Sequence, residues 1–227
     1  MITTEVEVRL EKLISNTLGI FTIKPAKLVN WIPGMFLQLS LTSKTASEPW
    51  LDSKPFSIAS WGGEEMKIIV RKEGKFTTSL FARASKGFVS SMKYPLGNFY
   101  LNGGGKKFFI AGGAGISVFT SYLDFLTKEK IKEKLFLFHS AKVTRELLPS
   151  LYWYKIPENV EFISNEGKSS LDDGRLQRLT FDSLKKYFEK DKNLQFYLCG
   201  PEGFRDYWNS KLTSNGYNVK TERWIVS

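Results

Sequence analysis

Residues Lys106-Lys107-Phe108-Phe109-Ile110-Ala111-Gly112-Gly113-Ala114-Gly115-Ile116-Ser117 run from a short apolar stretch through a glycine cluster. Beyond them Val118, Tyr122, Phe125 and Leu126 recur at helical spacing. A buried strand, a tight turn and a helix N-terminus in that order make a site for anions. Glycine lets a ligand approach the backbone closely, and the unpaired amide N–H groups at the helix start carry partial positive charge. Phosphate or pyrophosphate is the natural ligand. The spacing Gly-Gly-Ala-Gly departs from the G-x-G-x-x-G dinucleotide fingerprint, and no acidic residue clearly follows at the expected distance. Two readings therefore stand at this point: a phosphate loop, or a tight strand-to-helix turn with no ligand.

The stretch also divides the chain. Before it, residues 1–102 read as short strands. Val6, Val8 and Leu10 alternate with polar residues; Ile20 to Ile23, Phe36 to Leu41, Phe56 to Ser60 and Met66 to Arg71 follow, with turns at Pro33-Gly34 and Gly62-Gly63. One short helix near Thr77 to Arg83 interrupts them. This spacing predicts an antiparallel barrel. After it, residues 103–227 alternate: strands at Phe108 to Ala111, Leu135 to Phe138, Val160 to Ser164, Phe196 to Leu198 and Val219 to Trp224 are separated by helical segments. Those segments include a piece near Arg145 to Leu148, a helix with Phe181, Leu184 and Phe188, and one with Phe204, Trp208 and Leu212. Alternating β and α units predict a parallel sheet with helices on both faces. The expected fold is two-domain, with a hinge at Asn102-Gly103-Gly104-Gly105.

Cysteine and charge usage bound the chemistry. Cys199 is the single cysteine and His139 the single histidine, so this chain alone can form no intrachain disulfide, four-cysteine zinc site or iron–sulfur cluster. Electrons passing through it need an organic cofactor. The net charge of +10 comes from lysines spread along the sequence, with mixed-sign runs such as Lys128 to Lys134. That pattern argues against nucleic acid and suits an acidic protein partner or a phosphate-rich ligand. No apolar run approaches the roughly 18 residues that span a bilayer. The N-terminus alternates and is acidic, unlike a secretory signal, so the expected location is the cytoplasm.

Four further stretches carry chemistry. Lys54-Pro55-Phe56-Ser57 sets a cation, a ring and a hydroxyl on one strand, suited to a phosphate and a planar ring system, or to an ordinary core strand. Arg71 to Leu80 places Gly74, Thr77 and Thr78 at a helix start, suited to a second pyrophosphate or to a simple helix cap. Tyr197-Leu198-Cys199-Gly200-Pro201 ends a strand and turns into a helix, bringing Cys199 to the carboxyl edge of the sheet, where open α/β sheets bind ligands. Glu222-Arg223-Trp224 brings a Trp that could cover a planar cofactor or pack in the core.

Together these motifs resemble the ferredoxin–NADP reductase superfamily, a flavin-binding barrel followed by a pyridine-nucleotide domain. Lys54-Pro55-Phe56-Ser57 is similar to the family's Arg-x-Tyr-Ser/Thr, Gly74, Thr77 and Leu80 to its Gly-x-x-Ser/Thr-x-x-Leu turn, Gly112 to Ser117 to its phosphate loop, and Cys199-Gly200-Pro201 to its Cys-Gly-Pro turn. Lysine for arginine loses the planar fork that holds phosphate in a bidentate way. Phenylalanine for tyrosine loses a hydroxyl but keeps the ring. The Pro-Phe-Ser form is closer to the ferric reductase and NADPH oxidase branch, without that branch's membrane helices. Val118 stands where relatives usually carry proline.

The resemblance implies FAD, or FMN, in the barrel and NADPH or NADH in the second domain. It assigns Lys54, Pro55, Phe56, Ser57, Val70, Arg71, Gly74, Thr77, Thr78 and Trp224 to the flavin. Gly112, Gly113, Gly115, Ile116, Cys199, Gly200 and Pro201 fall to the nicotinamide nucleotide, and Ser57, Cys199 and Glu222 to the transfer itself. Ser140, Lys142, Arg145 and Arg175 are candidates for an adenosine 2′-phosphate, or simply solvated surface charge; the first of these readings leans the expectation to NADPH. Electrons would pass on to an acidic ferredoxin-like protein, a metal centre or a small acceptor. The alternative is an electron-transfer or nucleotide-sensing subunit with little activity alone.

Overall fold

The computed structural model describes residues 1–101, 106–153, 155–165, 180–189 and 193–222. The expected hinge at 102–105, together with Arg175, Arg223 and Trp224, lies outside them.

The first six strands form one antiparallel sheet. They are β1 (Ile2–Ser15), β2 (Leu18–Pro25), β3 (Phe36–Leu39), β4 (Lys54–Ser57), β5 (Met66–Arg71) and β6 (Phe88–Leu96), in the order β4-β3-β6-β1-β2-β5. The edges β4 and β5 approach each other: the Ala59 N–H, just past β4, donates to Lys67 O at 2.7 Å. The sheet is therefore a nearly closed barrel, filled by Val6, Val8, Phe21, Ile23, Leu37, Leu39, Ile68 and Met92. Helix α1 (Gly74–Ala84) lies against this core because Thr77, Leu80, Phe81 and Ala84 recur on one helical face. Phe81 meets Phe21 edge-on with ring centroids 4.9 Å apart. Burying Leu80 and Phe81 is worth about 1.5–3 kcal/mol each.

Strand β6 is absent from the sequence reading, although it pairs with both β1 and β3 at the centre of the sheet. Its alternation is disguised. Ser90 occupies the inward position that an apolar residue would normally mark, and its hydroxyl is satisfied by donating to Ser40 O at 2.8 Å.

The second sheet is parallel: β7 (Lys107–Gly112), β8 (Leu135–Ser140), β9 (Val160–Ser164), β10 (Gln195–Cys199) and β11 (Asn218–Thr221), ordered β11-β10-β7-β8-β9. Its central strands are apolar on both faces, as a doubly covered sheet requires. Phe108 and Ile110 point to a core shared with α4 (Phe181–Lys185) and α5 (Glu202–Ser214). Phe109 and Ala111 point the other way, to α2 (Ser117–Lys128) and α3 (Leu148–Leu151).

That second core also takes Leu18, Ile20, Ala59, Ile69, Phe99 and Leu101 from the barrel, so one continuous apolar cluster joins the two sheets. Polar contacts fix the junction. The buried Thr120 hydroxyl of α2 donates to Ala59 O at 2.8 Å, and the Trp61 N–H donates to the buried Asp124 carboxylate at 2.7 Å. Among the described residues no helix is long and apolar enough to cross a membrane.

Candidate functional site

The glycine loop is shaped by close backbone approaches. Gly112 ends β7 against the ring of Phe204, where an added Cβ would sit 2.8 Å from Cδ1. A Cβ on Gly115 would come within 2.6 Å of the Cys199 carbonyl and the Gly200 nitrogen. Real Cβ atoms do not approach backbone that closely, so the loop reaches the β10–α5 turn only because glycine stands there. Gly113 has φ of +53° and opens a 3-10 turn, Gly113–Ile116, before α2 starts at Ser117. The sequence suggested that the helix begins directly after the glycines; the extra turn is the local consequence of a left-handed Gly113, and Val118 is buried in the first turn of α2.

His139 stabilises this turn from below. It is fully buried at the end of β8, in register with Ala111, and its Nε2 lies 2.9 Å from Gly113 O. A carbonyl only accepts, so Nε2 carries the proton and Nδ1 keeps a bare lone pair. Burial pushes the His139 pKa down to about 4, although the bond to Gly113 favours the charged form. At neutral pH it is a neutral donor to the loop.

The β10–α5 turn brings a second buried group of polar atoms. Cys199 is 1% exposed, and burial, with the nearby Glu222 carboxylate, pushes its thiol above the usual range. The thiol stands at the carboxyl end of β10, as the sequence suggests, and is buried there, so it stays protonated. Glu222 follows β11, its N–H donating to Leu198 O at 2.9 Å, and is 3% exposed. Burial pushes its carboxyl up to about 7, against the opposing pull of Arg205. Arg205, on α5, donates from Nη1 to the Glu222 backbone carbonyl at 2.5 Å. Pro201 is the N-cap of α5 and is exposed.

On the barrel side, β4 carries Lys54 exposed, Pro55 and Phe56 half-buried and Ser57 buried. The Phe56 ring leans on Phe76 with centroids 6.2 Å apart. At the end of β5, Val70 is in the barrel core and Arg71 is largely buried. At the α1 start the Thr77 hydroxyl, 2.6 Å from both the Glu73 carbonyl and the Glu73 N–H, caps its own helix, in line with the simple-cap alternative. Thr78 is exposed, and Gly74 takes φ of +75° with open space around it.

The two sides meet at Arg71. Its Nη2 lies 3.7 Å from where a Gly113 Cβ would be, so the end of the barrel's β5 abuts the glycine loop. Arg71 pairs with the buried Glu146, Nη2 to Oε2 at 2.6 Å, and the Ser15 hydroxyl donates to the other carboxylate oxygen at 2.7 Å. Ser140, at the end of β8, lies in register with Gly112, while Lys142 and Arg145 are exposed beyond it. Sequence reasoning missed Glu146, His139's hold on the loop, Arg205 and Phe204. No local sequence signal marks Glu146, which simply precedes the buried Leu147 and Leu148.

This geometry fits a flavin and a nicotinamide nucleotide. Among the described residues, Ser57 Oγ and Glu222 Oε2 are buried without a hydrogen-bond partner, a costly state that a bound polar group would relieve. At Gly113, unlike the crowded Gly112 and Gly115, the loop leaves open the room that a Cβ would fill. Residues 3–108 match the FAD-binding domain family, and residues 109–209 match the oxidoreductase NAD-binding domain family. The chain belongs to the ferredoxin–NADP reductase superfamily.

Curated relatives agree with the ferredoxin–NADP reductase assignment. The electron transfer component of anthranilate 1,2-dioxygenase from Acinetobacter baylyi is 23% identical over 199 residues, covering 84% of this chain and 57% of that protein. A probable dihydroorotate dehydrogenase B (NAD(+)) electron transfer subunit from Pyrococcus horikoshii is 29% identical over 177 residues, covering 77% and 61%. This chain thus spans less than two thirds of the length of these relatives. Among solved structures, the ferredoxin reductase in carbazole 1,9a-dioxygenase aligns with a TM-score of 0.75 at 19% identity, over 98% of this chain and 69% of that one. A ferredoxin NADP+ reductase from Neisseria gonorrhoeae with bound FAD and NADP aligns with a TM-score of 0.73 at 16% identity, over 98% of both. The chain thus carries an FAD-binding domain followed by an oxidoreductase NAD-binding domain.

Proposed function

We propose that this chain takes electrons from NAD(P)H through FAD and passes them to a protein-borne metal centre. The observation that carries the reading is the abutment of Arg71, at the end of β5, on Gly113, which brings the edge of the barrel against the glycine loop. Bound FAD supplies the exchange between the paired electrons of a hydride and the single electrons that metal centres accept. The protein's residues do the rest by binding and orientation.

In this reading Gly112, Gly113 and Gly115 receive the nucleotide pyrophosphate on backbone N–H groups at the start of the 3-10 turn. Phe56 packs on the flavin ring, and the spare hydroxyl of Ser57 donates to it. Lys54 and Arg71 attract its phosphates, with Gly74 and Thr78 leaving room beside them; Thr77 contributes by fixing the helix start. Cys199, held neutral, packs beside the nicotinamide without repelling hydride. Glu222 holds or yields a proton at Oε2 near neutral pH, its affinity set chiefly by burial. Ser140, Lys142 and Arg145 suit a 2′-phosphate, favouring NADPH; Arg175 and Trp224 keep their proposed places outside the described residues.

The acceptor is an acidic ferredoxin-like protein or metal centre. The net charge of +10 supports this, since it steers an acidic partner toward the chain. So do the two relatives, which are named as electron transfer components of larger systems. A single free, buried cysteine suits a reducing compartment, and the proposal places the chain in the cytoplasm. A second reading, a subunit with little activity alone, is favoured by the P. horikoshii relative's being a subunit. Steady-state turnover separates the two. With NADPH, the isolated flavin-loaded chain is expected to reduce an acidic ferredoxin faster than a neutral dye, with a rate that falls as salt rises. Turnover only after a partner chain is added would favour the subunit reading.

A further inference from the structure

Arg71 has five N–H donors and spends only part of them on Glu146. Nη2 meets Oε2 at 2.6 Å and Nη1 reaches Oε1 at 3.4 Å, while Nη1 also donates to the Thr17 hydroxyl at 3.2 Å. The Nε and Nη2 edge turns toward Gly113, 4.0 and 3.7 Å from the position a Cβ would take. The missing side chain thus leaves space between the guanidinium and the phosphate loop. Glu146 is 3% exposed, anchored by Ser15, and sits in a 3-10 turn (Thr144–Glu146) next to the exposed Arg145. Burial opposes its ionisation, but Arg71, Ser15 and Arg145 more than compensate, so it is a carboxylate at neutral pH.

We propose that Glu146 competes with the pyrophosphate of a bound dinucleotide for the Arg71 guanidinium, and so is a positioning residue that sets nucleotide affinity. A carboxylate and a phosphate present the same paired oxygens to the guanidinium fork. An arginine already engaged with one gives less to the other. Arg71 lies on the barrel and Glu146 on the α/β domain, so the same exchange ties ligand binding to the contact between them. The inference rests on the proposed reading of the Gly112 to Ile116 loop as a nucleotide site. FAD and NAD(P)H both carry the phosphoanhydride in question.

The test is direct binding at equilibrium. FAD is titrated into apoprotein by flavin fluorescence, and NADPH and NADH are titrated separately into anaerobic flavin-loaded protein. Glu146→Gln keeps the side chain's shape and its contact with Ser15 but removes the charge. It is expected to tighten one or both ligands about three- to tenfold, with Kd moving in the ligand whose phosphates meet Arg71. Arg71→Gln is expected to weaken the same ligand about tenfold or more. In the double variant Glu146→Gln no longer tightens anything, because the group it releases is gone. A merely structural ion pair would weaken binding in both single variants, and that result, or no change in Glu146→Gln, overturns the proposal. If Glu146→Gln does not fold, Ser15→Ala loosens the same carboxylate, and a smaller tightening is required of it. Failure of the unsubstituted chain to bind FAD, NADPH or NADH would instead sink the reading of the site.

Discussion

The glycine loop and the barrel strand β4 are built from different materials. The loop is backbone packed on backbone: Gly115 against Cys199 and Gly200, Gly112 against Phe204, and Gly113 held by His139. The strand offers polar atoms that the fold leaves spare, the exposed Lys54 and a Ser57 hydroxyl with no protein partner among the described residues, beside a Phe56 ring that is only half-buried against Phe76. A loop whose shape is its packing cannot be altered without loss of stability. A strand whose functional atoms are spare can be altered with the fold intact.

The hardest test of that contrast is Gly115→Ala. One methyl group must displace the β10–α5 turn, so the apoprotein should lose about 3 kcal/mol of stability, seen as a lower midpoint in denaturant unfolding, together with NAD(P)H binding. An alanine tolerated with unchanged stability would break the comparison.

Next come the two buried titrating groups on the loop side, whose pH effects oppose each other. The folded His139 pKa is pushed down to about 4 from 6.5, so its contribution is present above pH 6.5 and is lost as pH falls toward 4. The folded Glu222 pKa is pushed up to about 7 from 4.5, so its contribution is present below pH 4.5 and is lost as pH rises toward 7. Each is worth on the order of 3 kcal/mol. Relative to the unsubstituted chain, Glu222→Gln should gain stability progressively from pH 4.5 to 7. The slope of His139→Asn should become more negative between pH 4 and 6.5. Unfolding curves across that range for the three proteins check both signs.

Much of this was legible in the sequence because burial patterns are local. The alternation of Val6 and Val8, the apolar run at Phe108 to Ala111, and the glycines that follow it all report a face or a turn within a few residues. The polar pairs were not legible. Ser15 and Glu146 are 131 residues apart and Arg71 and Glu146 are 75 apart, and no periodicity encodes such a meeting. The Thr77 spacing suited a ligand or a cap equally, because a hydroxyl at a helix start is as readily used by its own backbone, as it is here. Strand β6 was hidden by Ser90, a polar residue buried at a core position and satisfied there. His139 and Glu146 became interpretable only once the parallel register set β8 beside the glycine loop.

On the barrel side, Ser57→Ala removes a buried hydroxyl that no described protein group satisfies. Apoprotein stability should hold or rise by up to about 1 kcal/mol, while flavin reduction by NAD(P)H slows about tenfold, the worth of one hydrogen bond. A drop in stability of similar size would show that the hydroxyl belongs to the fold. The smallest effect is expected from Lys54→Arg, which restores a planar fork at an exposed position. It should slow flavin loss on dialysis by a few-fold and leave the apoprotein melting temperature unchanged.

That the barrel and the α/β domain share one working crevice is tested most directly by an anaerobic spectral titration of the flavin-loaded chain with no partner present. Addition of NADPH or NADH is expected to bleach the flavin absorption in a single turnover. A bound flavin that a chemical reductant bleaches but neither nucleotide does would contradict it.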